Sequence, residues 1–404
     1  MRVLHLTSGS LDSGAGKGAL RLHLGLRDIG VKSFISAPTS DAGNVAGLIE
    51  IESTATRIKK GLNHRFNNAL LGKKWNDEVL YSVGLDPFNV FKDIDFDSFD
   101  VINLHWINYG ISVSQISQLI PKAKVLWTMR DMWPFTKGCH YSLDCNGYEQ
   151  KCTACPLVNK RLSNYISNLA FERRKWLYSK VHFVAISEWL RGEALKTGLF
   201  SNSQISTIYN SVEKEVFKAK HRNVNYKRSL GLDAEMPVVL VGAQNLLDPH
   251  KGGRLLLSVI DHLKNECQFI FFGKGANEFV GDVGGLKSVN IGFVDELVLS
   301  KAFANSDLFL MLSSQEAFGK TIIESIFCGT PVVCLDSSAP GELISHLGSG
   351  AGFASSNVDD IVSAVRRISL GKYRVPGSVI EMAENQFSIQ KIAQQYLNLY
   401  SEML

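Results

Sequence analysis

Two glutamates eight residues apart, Glu316 and Glu324, flank a glycine turn in the second half of the sequence. The apolar run Leu308–Leu312 before them predicts a buried strand, and the pattern after Gly319 predicts a helix. A glycine at a helix start allows close approach of a phosphate to free backbone amides, here those of Lys320 and Thr321. Carboxylates disfavour phosphate but accept hydrogen bonds from sugar hydroxyls. The alternative is a helix-start charge followed by an ordinary surface glutamate.

A second glycine turn, Ser8–Gly18, follows the first apolar run of the chain and precedes a helical pattern. Gly14 and Gly16 would leave backbone N–H groups free for an anion or a sugar hydroxyl. The spacing matches neither the Walker loop nor the dinucleotide fingerprint. A tight turn without a ligand is the alternative.

Polar residues also end two predicted strands in the first half of the chain. His105 follows one of them, and Arg130 and Asp131 end the other. Ligands of parallel sheets bind at carboxyl ends of strands, so these side chains are candidate catalytic groups. Arg130 cannot act as a base at neutral pH, although it can bind phosphate or sugar oxygens. His105 is alternatively a satisfied histidine, and Asp131 either acts on an acceptor or caps its loop.

Four cysteines occur within the segment 137–156, with the spacing C-x5-C-x6-C-x2-C. Four thiolates this close suit a tetrahedral metal ion, and zinc is favoured over an iron–sulfur cluster because no electron transfer is implied. The alternative is a set of free thiols held by packing. We call this the cysteine cluster: Cys139, Cys145, Cys152 and Cys155.

Apolar runs of strand length alternate with helical patterns along the chain, which predicts an α/β protein with two doubly wound parallel sheets. The first set of strands is Val3–Thr7, Ser33–Ala37, Val101–Leu104, Val125–Thr128, His182–Ala185 and Ile205–Tyr209. The second set is Pro237–Gly242, Gln268–Gly273, Ser288–Ile291, Leu308–Leu312 and Pro331–Leu335. We predict a first domain over 1–209, a linker over 210–236, a second domain over 237–387, and an amphipathic helix over 388–404 that packs on the first domain.

Composition narrows the range of partners. The 404 residues carry a formal net charge of +4, too small to favour nucleic acid. No apolar run is long enough to cross a bilayer, and the first residues resemble a strand more than a secretory signal, so we expect a cytoplasmic protein. Two basic segments that also carry Leu, Phe and Trp, 57–75 and 160–180, are either helices that lie on the inner face of the plasma membrane or solvated helix faces.

The glutamate string resembles the E-x7-E motif of retaining glycosyltransferases of family 4, which have the GT-B fold: two Rossmann-like domains with a cleft between them. Other strings resemble the same family in the same order: Gly242 through Gly252, Phe272–Gly275, Asn290–Asp295 and Ile208–Val212. The resemblance implies that Lys251 neutralises the donor diphosphate, Glu316 holds the donor sugar and Glu324 holds the ribose hydroxyls. It further implies donor contacts from Gly14, Gly16, Gly273, Phe293, Val294, Phe318, Gly319, Lys320 and Thr321.

The chain departs from the family pattern at two positions. Ala243 stands where many members carry an arginine, for which Arg254 is a candidate substitute. Arg130 stands where a bacterial subgroup that makes surface polysaccharides has a histidine beside the donor sugar. Which residue of this chain takes over the role of that histidine is therefore open.

The resemblance implies transfer of a hexose from a UDP- or GDP-sugar to a glycan acceptor, and the basic segments favour a lipid-linked one. In this family, retention is thought to need no protein nucleophile and no metal ion, because the departing phosphate takes the acceptor proton. We weigh two alternatives: a sugar-nucleotide epimerase, and a non-catalytic sugar-nucleotide-binding partner of another transferase.

Overall fold

The computed structural model describes residues 1–37, 45–51, 54–71, 80–153, 155–158, 161–278 and 284–404. The chain folds into two compact units. The first comprises Met1–Ser211 together with Ile389–Leu404, and the second comprises Val212–Ser388.

The first unit contains a parallel sheet of seven strands in the order β3-β2-β1-β4-β5-β6-β7. Its strands are β1 Arg2–Leu6, β2 Lys32–Ala37, β3 Leu48–Glu50, β4 Val101–Leu104, β5 Lys124–Met129, β6 His182–Ala185 and β7 Ile205–Thr207. Its α-helices are Gly14–Asp28, Thr54–Leu71, Val113–Ile116, Arg161–Tyr178, Glu188–Lys196 and Ile389–Met403, with short 3-10 turns at Phe96–Ser98, Trp133–Phe135, Gly147–Gln150 and Asn202–Gln204.

The second unit contains a parallel sheet of six strands in the order β10-β9-β8-β11-β12-β13. Its strands are β8 Val238–Asn245, β9 Gln268–Lys274, β10 Ser288–Asn290, β11 Leu308–Met311, β12 Val332–Leu335 and β13 Gly352–Ser355. Its α-helices are Tyr226–Ser229, Gly253–Leu263, Glu296–Asn305, Lys320–Phe327, Ala339–Leu347, Val358–Leu370 and Gly377–Phe387, with 3-10 turns at Ala219–His221 and Pro249–Lys251.

The central strands are buried on both faces, which explains their continuous apolar sequences. All four residues of β4, β11 and β12 are buried. In each unit the strand order runs outward in both directions from the first strand of the sheet, so each sheet has a switch point where the order reverses. In open α/β sheets, ligands bind at the carboxyl ends of the strands at this point.

The predicted doubly wound architecture is confirmed, and most predicted strands differ from the observed ones by a residue or two at their ends. Two edge strands, β3 and β13, were not predicted. Their residues are only partly buried, so their sequences lack the apolar runs of the central strands.

The segment 212–236, predicted as part of a linker, is packed within the second unit. Lys227 forms an ion pair with the buried Asp307, with Nζ 2.8 Å from Oδ2. Asn223 donates its backbone N–H to the side chain of Asn305. These contacts attach polar residues of the segment to the sheet, which the low apolar content of the sequence did not reveal.

The C-terminal helix Ile389–Met403 belongs to the first unit, where Ile392, Ala393 and Tyr396 join a core cluster with Val3 and Leu22. Two tyrosine hydroxyls of this helix reach the sheet. Asn103 donates to Tyr400 at 2.7 Å, and the hydroxyls of Thr128 and Tyr396 lie 3.1 Å apart. In the described part of the chain, no helix is long and apolar enough to cross a membrane.

Candidate functional site

The switch point of the second sheet lies between β8 and β11, and the loops after these two strands contact each other. The loop after β8 ends in the turn Pro249–Lys251, and the loop after β11 leads to Glu316. Ser314 donates its backbone N–H to the carbonyl of His250 at 2.8 Å, which fixes one loop against the other. The parallel sheet therefore brings together two segments that lie more than sixty residues apart in the sequence.

Two α-helices begin beside this contact, and neither has a side-chain cap at its N-terminus. Gly252 precedes the helix Gly253–Leu263 and Gly319 precedes the helix Lys320–Phe327, both in the left-handed conformation, with φ of +72° and +82°. A Cβ on Gly252 would lie 2.0 Å from the carbonyl oxygen of Leu312, so only glycine fits there. Uncapped helix starts expose N–H groups and a positive dipole end, the arrangement that binds phosphates.

The Lys251 ammonium lies in this corner and forms an ion pair with Oε2 of Glu316. Both side chains are mostly buried, with 13% and 18% of their surfaces exposed. The Glu316 backbone N–H donates to the hydroxyl of Ser338, at the end of the loop after β12. Burial and the neighbouring Lys251 lower the pKa of His250 to about 4, so this histidine is neutral and the lysine is the cation of the corner.

Glu324 is fully buried in the helix that starts at Gly319. Its Oε1 forms an ion pair with Lys320, one turn earlier, whose ammonium also lies 3.8 Å from Glu296. Apart from this ion pair at Oε1, neither carboxylate oxygen of Glu324 has a hydrogen-bond partner among the described residues, which leaves Oε2 without any partner. A buried carboxylate oxygen without a donor costs free energy, so this atom is suited to accept hydrogen bonds from a ligand.

The other predicted donor-binding residues lie along the same edge of the second sheet. Gly273, the penultimate residue of β9, is in the left-handed conformation, and a Cβ there would meet the carbonyl oxygen of Ala243 at 1.7 Å. Its N–H donates to the carbonyl of Gly292, which places the loop with the exposed Phe293 and the half-buried Val294 beside it. Three more predicted residues sit near the helix starts: Arg254 is exposed, Phe318 is buried, and Thr321 directs its hydroxyl to the sulfur of Met311.

The predicted glycine turn of the first unit lies at the switch point between β1 and β4. Ser13 caps the helix Gly14–Asp28 by accepting the N–H of Gly16 at 3.1 Å. A Cβ on Gly16 would lie 2.0 Å from the carbonyl oxygen of Ser10, whereas Gly14 faces open space. Gly16 is thus required by the turn itself, and Gly14 leaves room for a ligand.

His105 and Arg130 form one buried polar centre in the first unit. Nη2 of Arg130 donates to Nδ1 of His105 at 3.0 Å, and Nε2 of His105 lies 3.0 Å from Nδ1 of His5. Burial and the nearby guanidinium hold the pKa of His105 well below its usual value. Because Nδ1 accepts from an arginine, the neutral ring carries its proton on Nε2 and donates to His5. Both nitrogens of His105 are therefore occupied.

Arg130 is half-buried and makes no ion pair with a carboxylate among the described residues. Besides His105, its guanidinium donates to the side chain of Asn210 and packs against Gly18, where a Cβ would lie 2.4 Å from Nη1. Burial lowers the pKa of Arg130, although an arginine stays protonated. The Arg130 guanidinium thus links the end of β5 to the N-terminal part of the helix Gly14–Asp28.

Asp131 is engaged in a chain that the sequence did not predict. Its Oδ1 accepts the N–H of Trp133 at 2.9 Å, and its Oδ2 lies 2.6 Å from Nδ1 of His140. Nε2 of His140 lies 3.0 Å from the hydroxyl of Ser82. The order Asp, His, Ser is typical of hydrolases, but all three side chains are buried, which favours loop capping over chemistry on a substrate. The signal for His140 was its place directly after Cys139, nine residues past Asp131.

The cysteine cluster lines one cavity of about 20 Å³, together with Lys137 and Tyr148. All four thiols are free, and burial raises the pKa of Cys139 to about 12. Backbone N–H groups point at two of the sulfurs, from Gly147 to Cys145 and from Lys137 to Cys152, at 3.4 Å each. In the described part of the chain, no three or more metal-ligating side chains are arranged to hold an ion. Structural zinc therefore stays a prediction.

Comparison with known proteins gives one family match. Residues 225–385 match the family model "Glycosyl transferases group 1", which covers most of the second unit and the whole glutamate string. An uncharacterized glycosyltransferase of Methanocaldococcus jannaschii, MJ1607, is 25% identical over 239 residues, which are 55% of this chain and 60% of that protein.

A second relative is the N,N'-diacetylbacillosaminyl-diphospho-undecaprenol alpha-1,3-N-acetylgalactosaminyltransferase of Campylobacter jejuni. It is 26% identical over 209 residues, which are 49% of this chain and 50% of that protein. The chain thus spans half to three fifths of the length of these relatives. Among solved structures, HepE of Anabaena in complex with UDP-glucose superposes over 100% of both chains with a TM-score of 0.66 at 14% identity. That similarity establishes the fold, which is GT-B.

Proposed function

We propose that this chain is a retaining glycosyltransferase that moves a hexose from a UDP- or GDP-sugar to a glycan acceptor. The match of residues 225–385 to the group 1 glycosyltransferases supports the proposal. The observation that carries the proposal is the Lys251–Glu316 ion pair beside two uncapped helix starts, one of which opens the helix that contains Glu324. A nucleotide sugar presents a diphosphate between two groups of paired hydroxyls. Its charge pattern matches a cation and amides flanked by two carboxylates.

The donor diphosphate would bind at the starts of the helices Gly253–Leu263 and Lys320–Phe327, with Lys251 as its counter-charge. In the structure, Lys251 is paired with Glu316. When the diphosphate takes over the ammonium, Glu316 becomes free to accept hydrogen bonds from the sugar. The same positive groups stabilise the nucleoside diphosphate as it leaves, so the transfer needs no metal ion.

Glu324 would hold the ribose. It lies in the second turn of the helix whose first amides would bind the diphosphate, and its Oε2 has no partner in the part of the chain that the structure describes. A carboxylate there accepts hydrogen bonds from hydroxyls without competing for the phosphate. Gly273 and the loop of Phe293 and Val294, which contact each other, would then receive the base.

The acceptor would be lipid-linked, in the assembly of a bacterial surface polysaccharide. The Campylobacter relative supports this, since its name gives a diphospho-undecaprenol-linked sugar as the acceptor. Trp106 follows β4 in the first unit and is half-buried, with its indole edge-to-face with Tyr109. The indole would stack against a sugar ring of the acceptor. Because both nitrogens of His105 are engaged, we assign it to holding Arg130 rather than to proton transfer.

Turnover with a panel of nucleotide sugars tests the proposal and separates it from its alternatives. Purified protein is incubated with UDP- and GDP-sugars, with and without a lipid-linked oligosaccharide, and nucleoside diphosphate release is measured. A transferase releases it faster with acceptor, an epimerase converts its substrate without acceptor, and a binding subunit releases none. The variant K251M would lose release, while K372M, at an exposed turn of the same unit, would keep it. Equal release by K251M and wild type would refute the proposal.

A further inference from the structure

Two neighbouring helices of the first unit present a surface that the proposed transfer does not use. The helices Thr54–Leu71 and Arg161–Tyr178 pack together, and the hydroxyl of Ser163 donates to the carbonyl of Leu70. Leu71 and Ala170 belong to the same buried cluster. Each helix therefore turns one side to a shared core, and the opposite sides are exposed.

The exposed sides carry large apolar side chains at helical spacing. On the first helix they recur every four residues, and on the second they recur at intervals of three, four and seven. Such spacing places each set in a single stripe along its helix. The stripes are Ile58 (57% exposed), Leu62 and Phe66, and then Leu162 (71% exposed), Tyr165, Leu169 and Trp176.

Cations accompany both stripes. The two helices contain eight Lys and Arg residues, of which only Arg174 is fully buried, and a single acidic residue, Glu172, whereas the whole chain has a net charge of only +4. Glu172 is paired with Lys175. Arg65 and Arg173 are exposed within the stripes, and Arg57 and Arg161 are exposed near the helix starts. The surface is therefore both apolar and positively charged.

We propose that this surface, the exposed sides of Thr54–Leu71 and Arg161–Tyr178, docks on the anionic leaflet of a lipid bilayer. Moving exposed Leu, Ile and Phe side chains from water into the acyl boundary is favourable, whereas Trp and Tyr prefer the level of the headgroups. Arginines beside them are attracted to anionic headgroups. A nucleic acid would use the cations but leave the apolar stripes in water. The docking does not depend on glycosyl transfer, although it would hold the first unit where lipid-linked acceptors reside.

Flotation of the full chain with liposomes tests the docking. We expect the protein to float with vesicles of phosphatidylcholine and phosphatidylglycerol, to stay behind with phosphatidylcholine alone, and to be released by high salt. The double variant R65Q/R173Q would bind about 25-fold more weakly, at about fivefold per cation. The double variant L162S/W176S would lose roughly tenfold or more. The control L370S changes a leucine of matched exposure, 59%, in the second unit and would bind like wild type.

Binding that ignores anionic lipid, or variants that float like wild type, would overturn the proposal. Sedimentation without lipid tests whether a second copy of this chain binds the surface instead. A dimer that L162S/W176S abolishes would make the surface an interface between copies of this chain. Melting curves confirm that the variants fold, as expected for exposed positions. Nucleoside diphosphate release in the absence of membranes should be the same in all of them, so failure of the docking and failure of the proposed transfer are separable.

Discussion

Replacing Glu324 by glutamine should separate donor binding from stability. In the structure its side chain is fully buried, Oε1 is paired with Lys320, and Oε2 has no hydrogen-bond partner among the described residues. Glutamine has nearly the same shape but no charge. It would weaken the hydrogen bonds that the ribose hydroxyls donate to the carboxylate.

A hydrogen bond to a charged group contributes about 1.5–3 kcal/mol and one to a neutral group about 0.5–1.5 kcal/mol, so E324Q should lose about 1–1.5 kcal/mol per hydrogen bond. The affinity for UDP should therefore fall by roughly 5- to 13-fold for each ribose hydroxyl that binds the carboxylate. The free protein should be at least as stable as wild type, because the variant removes a buried charge with a partnerless oxygen. Lys320 keeps the nearby Glu296 and partial access to solvent, with 27% of its side chain exposed.

Calorimetric titration with UDP and thermal melting measure the two quantities on the same samples. The matched control is E296Q, which alters the other carboxylate near Lys320 and should change UDP affinity only a few-fold. If E324Q binds UDP as tightly as wild type, Glu324 does not hold the ribose. If E324Q melts far below wild type, the carboxylate is a structural group and the reasoning from its partnerless oxygen is wrong.

Three further predictions concern the backbone, the histidines and the thiols. G252A should destabilise the second unit by about 1–3 kcal/mol or more, because the residue has a positive φ and a Cβ would clash with the carbonyl of Leu312. The control G377A, which has open space around it, should not destabilise the unit. Urea unfolding measures the stability of both variants. Burial lowers the pKa of His23 to about 4, so the unfolded chain takes up a proton first as the pH falls. The contribution of neutral His23 to the free energy of unfolding is complete above about pH 6.5 and declines towards pH 4, with about 2 kcal/mol lost at about pH 5. The variant H23Q should lack this part of the pH dependence. The four thiols share one cavity but are not arranged around an ion in the described part of the chain, so the zinc prediction requires them to close on the metal; metal analysis should find zinc, and substituting two of the thiols should abolish it.

For each of these predictions, one experimental result would contradict it. Equal urea midpoints for G252A and G377A would show that the turn tolerates a side chain. A pH profile of H23Q parallel to wild type would place the acid sensitivity elsewhere. Purified protein without zinc or iron would identify the cluster as free thiols held by packing.

The fold followed from the sequence because its central strands are buried on both faces and are therefore almost entirely apolar. The edge strands Leu48–Glu50 and Gly352–Ser355 are half exposed and carry no such pattern. The attachment of 212–236 to the second unit depends on single polar contacts, such as Lys227 to Asp307, that span some eighty residues. Sequence periodicity does not report contacts of this kind.

The candidate site was predictable to the extent that it uses local motifs. Gly319 and the glutamates lie on one strand–turn–helix unit, so their chemistry can be inferred from spacing. The environment of Arg130 was not predictable, because its partners His105 and Asn210 lie 25 and 80 residues away. The same holds for the link from Asp131 through His140 to Ser82, which engages the carboxylate for which the sequence left open both action on an acceptor and loop capping.

A structure of the protein with a bound nucleotide sugar tests the central claim most directly. The account predicts the diphosphate within hydrogen-bond distance of the Lys251 ammonium and of the amides after Gly319, with the ribose hydroxyls on Oε2 of Glu324. A nucleotide bound away from these three residues, or bound with Lys251 still paired to Glu316 and Glu324 untouched, would contradict it.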